Sequence, residues 1–116
     1  MTPSLVLKNG KPFIVVGTPG GTTIPTSVYQ SIVNIIDFGM NADDAVNKPK
    51  FHHQWLPDEV DVEKTFPQDT REALQKMGYD IKQWGGIGRV ELIKILPNGQ
   101  REAAADERGD DSLDGY

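Results

Sequence analysis

The chain of 116 residues contains no cysteine. A disulfide, a thiolate nucleophile and a zinc–thiolate centre are therefore excluded. No apolar run approaches the roughly 20 residues that cross a bilayer. Met1-Thr2-Pro3-Ser4-Leu5-Val6 has neither the basic region nor the long apolar segment of a secretory leader, so none is read here. Clustered Lys and Arg are also lacking: the net charge is −5, and Glu102–Tyr116 alone holds six acids and one arginine, so the rest of the chain balances. Nucleic-acid binding, which depends on basic clusters neutralising the phosphate backbone, is disfavoured. The acidic tail is expected to be a solvated surface.

What is present is the length of one ordinary domain, with hydrophobic and charged fractions of 37% and 25%, as in globular proteins. Ser4–Lys8 and Pro12–Gly17 are short apolar runs flanking Asn9-Gly10, the pair favoured in a type I′ hairpin turn. Val28, Tyr29, Ile32, Val33, Ile35 and Ile36 have the spacing of an amphipathic helix ending near Gly39. Asn41 followed by Asp44 predicts a capped short helix over 42–46, stopped before Pro49. Residues 51–62 read as extended, and 69–77 as a third helix closed by Gly78. Residues 89–96 read as a strand, Pro97-Asn98-Gly99 as a turn and 101–105 as a returning strand. This order predicts a mixed α/β chain, layered in the α+β manner, with antiparallel strands and helices on their faces.

Residues able to carry chemistry are few. In Gly17-Thr18-Pro19-Gly20-Gly21-Thr22-Thr23, two adjacent glycines leave backbone N–H groups open to close approach, just before a helix N-terminus. Such a turn can bind an anion or a developing oxyanion, or serve only as a strand-to-helix connection. A nucleotide phosphate loop is disfavoured, because no Lys-Ser or Lys-Thr follows the glycines. His52 and His53 are neighbours on an extended segment and face opposite ways, so they do not share a metal; one is expected packed or hydrogen-bonded, the other near the surface. Asp58, Glu59, Asp61 and Glu63 alternate with Val60 and Val62, as on the outward face of a half-buried edge strand. Trp55 and Trp84 are expected in a core or a subunit contact. There is no G-x-S-x-G elbow and no Ser or Thr beside a persuasive base. From the residues alone, the chain is an α/β module with a candidate anion-binding turn.

Taken together the residues say more. Met1-Thr2-Pro3-Ser4, Lys11 to Gly17 followed by Thr18-Pro19-Gly20-Gly21, Asp37-Phe38-Gly39-Met40-Asn41, Ala45 to Glu59 and the ending Gly115-Tyr116 are similar, in that order, to γ-glutamyltranspeptidases. The resemblance covers essentially the whole chain, and the run Phe51-His52-His53-Gln54-Trp55-Leu56-Pro57-Asp58-Glu59 is its most specific part. It implies that residues 1–116 are a single C-terminal segment of the enzyme's small subunit, the C-terminal portion of an αββα N-terminal-nucleophile hydrolase fold. In that family a self-cleaving precursor exposes an N-terminal threonine that attacks γ-glutamyl amides such as glutathione. The acyl-enzyme then passes the glutamyl group to water or to an amino-acid acceptor. Gly20 and Gly21 correspond to the family's oxyanion hole, whereas its nucleophile, its supporting threonine and its paired serines fall upstream. Where the family has Asp-Pro-Arg, this chain has Asp106-Glu107-Arg108. The resemblance implies no cofactor and no metal. Its implied partners are the remainder of the small subunit and the large subunit, with no nucleic acid and no membrane span. Alone, the chain is expected to be inactive and to self-associate, and family members are periplasmic, secreted or surface-bound. The alternative is a non-catalytic structural or binding domain on the same scaffold.

Overall fold

A computed structural model describes residues 3–115, so Met1, Thr2 and Tyr116 of the resemblance lie outside it. The chain divides into two compact units, residues 1–48 with 88–116 and residues 49–87.

The first unit is built on a four-stranded antiparallel sheet. Its hairpin joins β1 (Ser4–Lys8) to β2 (Lys11–Gly17), and the turn residues Asn9 and Gly10 sit at φ 53° and 76°, as a type I′ turn requires. β2 next pairs with β6 (Glu91–Ile95), which pairs with β7 (Arg101–Ala105). Two helices cover one face: α1 (Ile24–Ile36) and α2 (Ala42–Asn47). The core lies beneath them and contains Ile14, Val16, Ile35, Ala42, Ala45, Val46, Val90, Leu92 and Ala104. The side chain of Asn41 accepts a 2.8 Å hydrogen bond from the Asp44 N–H, so α2 is capped as its sequence predicts.

α1 departs from its apolar pattern. Its most buried residues are Ser27, Gln30, Ser31 and Ile35, whereas Tyr29 and Ile36 are exposed. At Ser27 close approach explains this: a Cβ at Gly88 would lie 2.6 Å from the Ser27 hydroxyl, so there is room for only a small side chain at position 27.

The opposite face of the sheet carries a cross-strand row, Leu5–Val15–Ile93–Ala103, set by the strand register. Leu5, Val15 and Ile93 are 58%, 36% and 38% exposed, so this apolar face is uncovered among the described residues. Of the tail, Asp106 is not solvated as expected. It is buried, with its carboxylate accepting from the Val90 N–H at 2.7 Å and from the Arg108 N–H and guanidinium at 2.9 and 2.8 Å. Asp110 and Asp111, further along, clasp Arg89, whose guanidinium holds the Asp111 carboxyl below the ordinary carboxylate range.

In the second unit, β3 (Phe51–His52), β4 (Val60–Glu63) and β5 (Ile81–Trp84) form a sheet, with α3 (Gln68–Lys76) between the last two strands. Three expectations change here. Residues 51–62 are two antiparallel strands separated by a loop, in which Trp55 takes φ 75°. β5, parallel to β4, goes unseen in the sequence because it is four residues long with Lys82 and Gln83 at its centre. Most important, β4 is the central strand rather than an edge, so Asp61 and Glu63 are buried instead of outward-facing. Glu63 accepts from the Lys50 and Ile87 N–H groups, both at 2.7 Å. Asp61 Oδ1 has no partner, and burial pushes that carboxyl above its usual range, with the nearby Glu59 charge adding to the effect.

The two histidines behave as their alternation predicts. His52 is buried, bonded to Gln54 and stacked on Trp84, whereas His53 is partly exposed and meets Asp58 at 3.2 Å. Trp55 and Trp84 are both exposed rather than in a core, at 76% and 44%. No helix among the described residues is long and apolar enough to cross a membrane.

Candidate functional site

Where β2 leaves the sheet, Thr18-Pro19-Gly20-Gly21 leads into a single 3₁₀ turn (Gly21–Thr23) and then directly into α1. Both glycines are exposed, and each has a positive φ: 137° at Gly20 and 59° at Gly21. A side chain at Gly20 would also meet Thr23, whose Oγ1 would lie 2.6 Å from the added Cβ. At Gly21 nothing lies within 4 Å of that position, so an added Cβ would meet open space. The glycine pair expected from the sequence is thus required at Gly20 by conformation and contact together.

The Pro19 and Gly20 carbonyls of this turn are engaged, and the Gly20 and Gly21 amides are not. Gly20 C=O accepts two hydrogen bonds, from the Thr23 N–H at 3.2 Å and the Thr23 hydroxyl at 2.9 Å. Pro19 C=O accepts from the Thr18 hydroxyl at 2.7 Å. No acceptor is paired with the Gly20 or Gly21 N–H among the described residues. Two neighbouring unpaired donors on exposed residues, at the entrance to a 13-residue helix, form an electropositive patch. Such an arrangement suits an oxygen whose negative charge is transient, because fixed dipoles need no reorganisation when the charge develops.

The turn's support comes from residues that motif reading passed over. Thr18 is fully buried, and its hydroxyl also accepts from the Arg89 N–H at 2.8 Å. Gly88, at φ 75°, packs against Ser27 and Thr18, where any Cβ would lie 3.4 Å or less from either hydroxyl. The only sequence signal for these roles was a threonine at each end of the glycine pair, a pattern that by itself says nothing about where a hydroxyl points. The other candidates of the sequence, His52, His53, Trp55, Trp84, Asp58, Glu59, Asp61 and Glu63, all belong to the second unit, whereas the glycine turn belongs to the first. No group of three or more metal-ligating side chains is assembled among the described residues.

Comparison with known proteins gives these features a context. A family model described as Gamma-glutamyltranspeptidase matches residues 1–116. The glutathione hydrolase proenzyme of Escherichia coli is 44% identical over 113 residues, which is 97% of this chain and 20% of that protein. Among solved structures, Helicobacter pylori gamma-glutamyltranspeptidase superposes with a TM-score of 0.90 at 47% identity, covering 94% of this chain and 61% of the other. The gamma-glutamyltranspeptidase of Pseudomonas nitroreducens, complexed with L-DON, superposes with a TM-score of 0.90 at 32% identity over all of this chain and 62% of the other. The chain therefore spans about a fifth of the length of the curated relative.

The two glycines should respond differently to substitution. Gly21→Ala, at an αL angle with open space, should cost about 1–2 kcal/mol of stability. Gly20→Ala, at φ 137° and against the Thr23 hydroxyl, should cost at least about 2–3 kcal/mol. Denaturant unfolding of the two variants measures this, and equal losses would contradict the geometry.

Proposed function

This chain belongs to the gamma-glutamyltranspeptidase family, and on that premise we propose that it supplies the oxyanion hole of a γ-glutamyltransferase or glutathione hydrolase. The observation that carries the reading is the pair of unpaired, exposed N–H groups on Gly20 and Gly21, beside two engaged carbonyls.

The chemistry follows from what such donors do. A threonine hydroxyl from the upstream part of the enzyme, freed by self-cleavage of a precursor, attacks the γ-glutamyl amide carbon. The carbonyl oxygen takes up negative charge in the tetrahedral intermediate, and the Gly20 and Gly21 amides stabilise it there. Collapse releases the amine and leaves a γ-glutamyl ester on the threonine. Water or the amine of an amino acid then attacks the ester, and the same amides serve the second tetrahedral intermediate. These donors act on a charge absent from the ground state, so their contribution falls on kcat more than on substrate binding.

The apolar row Leu5–Val15–Ile93–Ala103 supports a partnership with the rest of the small subunit, whose strands would cover this face, and with the large subunit. The enzyme works outside the cytoplasm, in the periplasm, at the surface or as a secreted protein. Gly21→Pro in the complete enzyme removes one donor and, because proline cannot adopt φ 59°, also turns the backbone away, so kcat should fall by at least about 10²–10³-fold. Gly21→Ala, which keeps the donor, separates lost donation from altered conformation. If both variants mature, fold and retain full kcat, the turn is only structural. By itself the chain has donors but no nucleophile: purified alone it should release nothing from a γ-glutamyl anilide and should scatter light as an oligomer. Saturable anilide release, or a compact monomer at high concentration, would contradict that expectation.

A further inference from the structure

A pair of glycines creates a problem as well as a solution. The freedom that lets their backbone approach a substrate also lets the peptide planes on either side turn over, because glycine adopts both signs of φ at little cost. A flipped plane would put a carbonyl where the oxyanion needs a donor. The turn must therefore be held by something other than its own conformational preference.

We propose that Thr18 and Thr23 are positioning residues, each of which locks by its hydroxyl the one peptide plane that carries an oxyanion donor. A trans peptide places its C=O and N–H on opposite sides of the plane, so holding the carbonyl aims the amide. The Gly20 N–H shares its plane with Pro19 C=O, and the Thr18 hydroxyl donates to that carbonyl at 2.7 Å. The Gly21 N–H shares its plane with Gly20 C=O, and the Thr23 hydroxyl donates to that carbonyl at 2.9 Å. There is one hydroxyl for each donor, on either side of the pair.

Both hydroxyls are themselves fixed. Thr18 is fully buried and Thr23 is 7% exposed, and β-branching confines χ1 at each. The Thr18 hydroxyl accepts from the Arg89 N–H at 2.8 Å, which leaves its own hydrogen directed to Pro19 C=O. Gly20 C=O also receives the Thr23 N–H at 3.2 Å, a longer contact that the hydroxyl reinforces. Neither threonine would touch the substrate in this arrangement; each acts through a backbone plane.

The inference rests on the oxyanion reading, and Thr23 gives the cleaner test, since replacing Thr18 would also strip the Arg89 N–H of its acceptor. Thr23→Val keeps the shape and removes only the hydroxyl. In the mature, complete enzyme, assembled from separately expressed subunits should self-cleavage slow, Thr23→Val should lower kcat about three- to ten-fold, the usual weight of one hydrogen bond, with KM within about two-fold. Thr23→Ser should restore kcat to within about two-fold. A tetrahedral boronate analogue of the γ-glutamyl group should lose affinity in step with kcat, whereas norvaline, which has a methyl group where the γ-carbonyl carbon would be and so offers the amides no oxygen, should not. Wild-type kcat in Thr23→Val, or equal losses in Thr23→Val and Thr23→Ser, would overturn the proposal. Gly21→Pro distinguishes the two levels: if it too leaves kcat intact, the oxyanion reading has failed, and if it alone abolishes activity, only the positioning role has.

Discussion

The buried hydroxyl of Thr18 is the point on which this part of the molecule turns. It accepts from the Arg89 N–H and donates to Pro19 C=O, so one oxygen joins the end of β2 to the segment that begins β6. That segment is held from its other side by Asp106, which accepts from the next N–H, that of Val90. Gly88, immediately before, sits against Ser27 and lets α1 approach closely. Residues 88–90 are thus tied to the sheet exit, the first helix and the C-terminal segment within three positions. On the proposed reading this arrangement holds the glycine turn, whose two glycines could otherwise adopt either sign of φ at little cost.

Much of this architecture could be read from local chemistry. The Asn9-Gly10 hairpin, the Asn41 cap, the helix stops at Gly39 and Gly78 and the Pro97-Asn98-Gly99 turn are all short-range signals, and each fell where the residues placed it. The failures share a different cause. Asp61, Glu63 and Asp106 look solvent-facing because acids usually are, but Glu63 and Asp106 meet partners far along the chain, Ile87 and Val90, and Asp61 lies on a strand paired on both sides. β5 was invisible for the same reason, since a four-residue strand gains its identity from pairing with β4 and not from its own periodicity. At the candidate site the glycine pair was legible, whereas the roles of Thr18 and Thr23 were not, because a hydroxyl's function depends on which carbonyl it meets.

On the proposed reading, the oxyanion hole would need very little side-chain chemistry. No side chain of Thr18, Pro19, Gly20, Gly21, Thr22 or Thr23 carries a charge, so the donors of the turn are backbone dipoles alone. On that same reading, specificity for the γ-glutamyl group and the nucleophile would come from elsewhere in the complete enzyme. What these residues contribute is a rigid pair of dipoles, and rigidity is the property that long-range packing supplies.

The most direct test of the central claim is structural. A crystal structure of the complete enzyme with a tetrahedral boronate analogue bound to its threonine should place one boronate oxygen about 2.7–3.1 Å from the amide nitrogens of Gly20 and Gly21, with the Thr18 and Thr23 hydroxyls still on Pro19 C=O and Gly20 C=O. A boronate oxygen held by other donors, with the Gly20 and Gly21 amides turned away from it, would contradict the account.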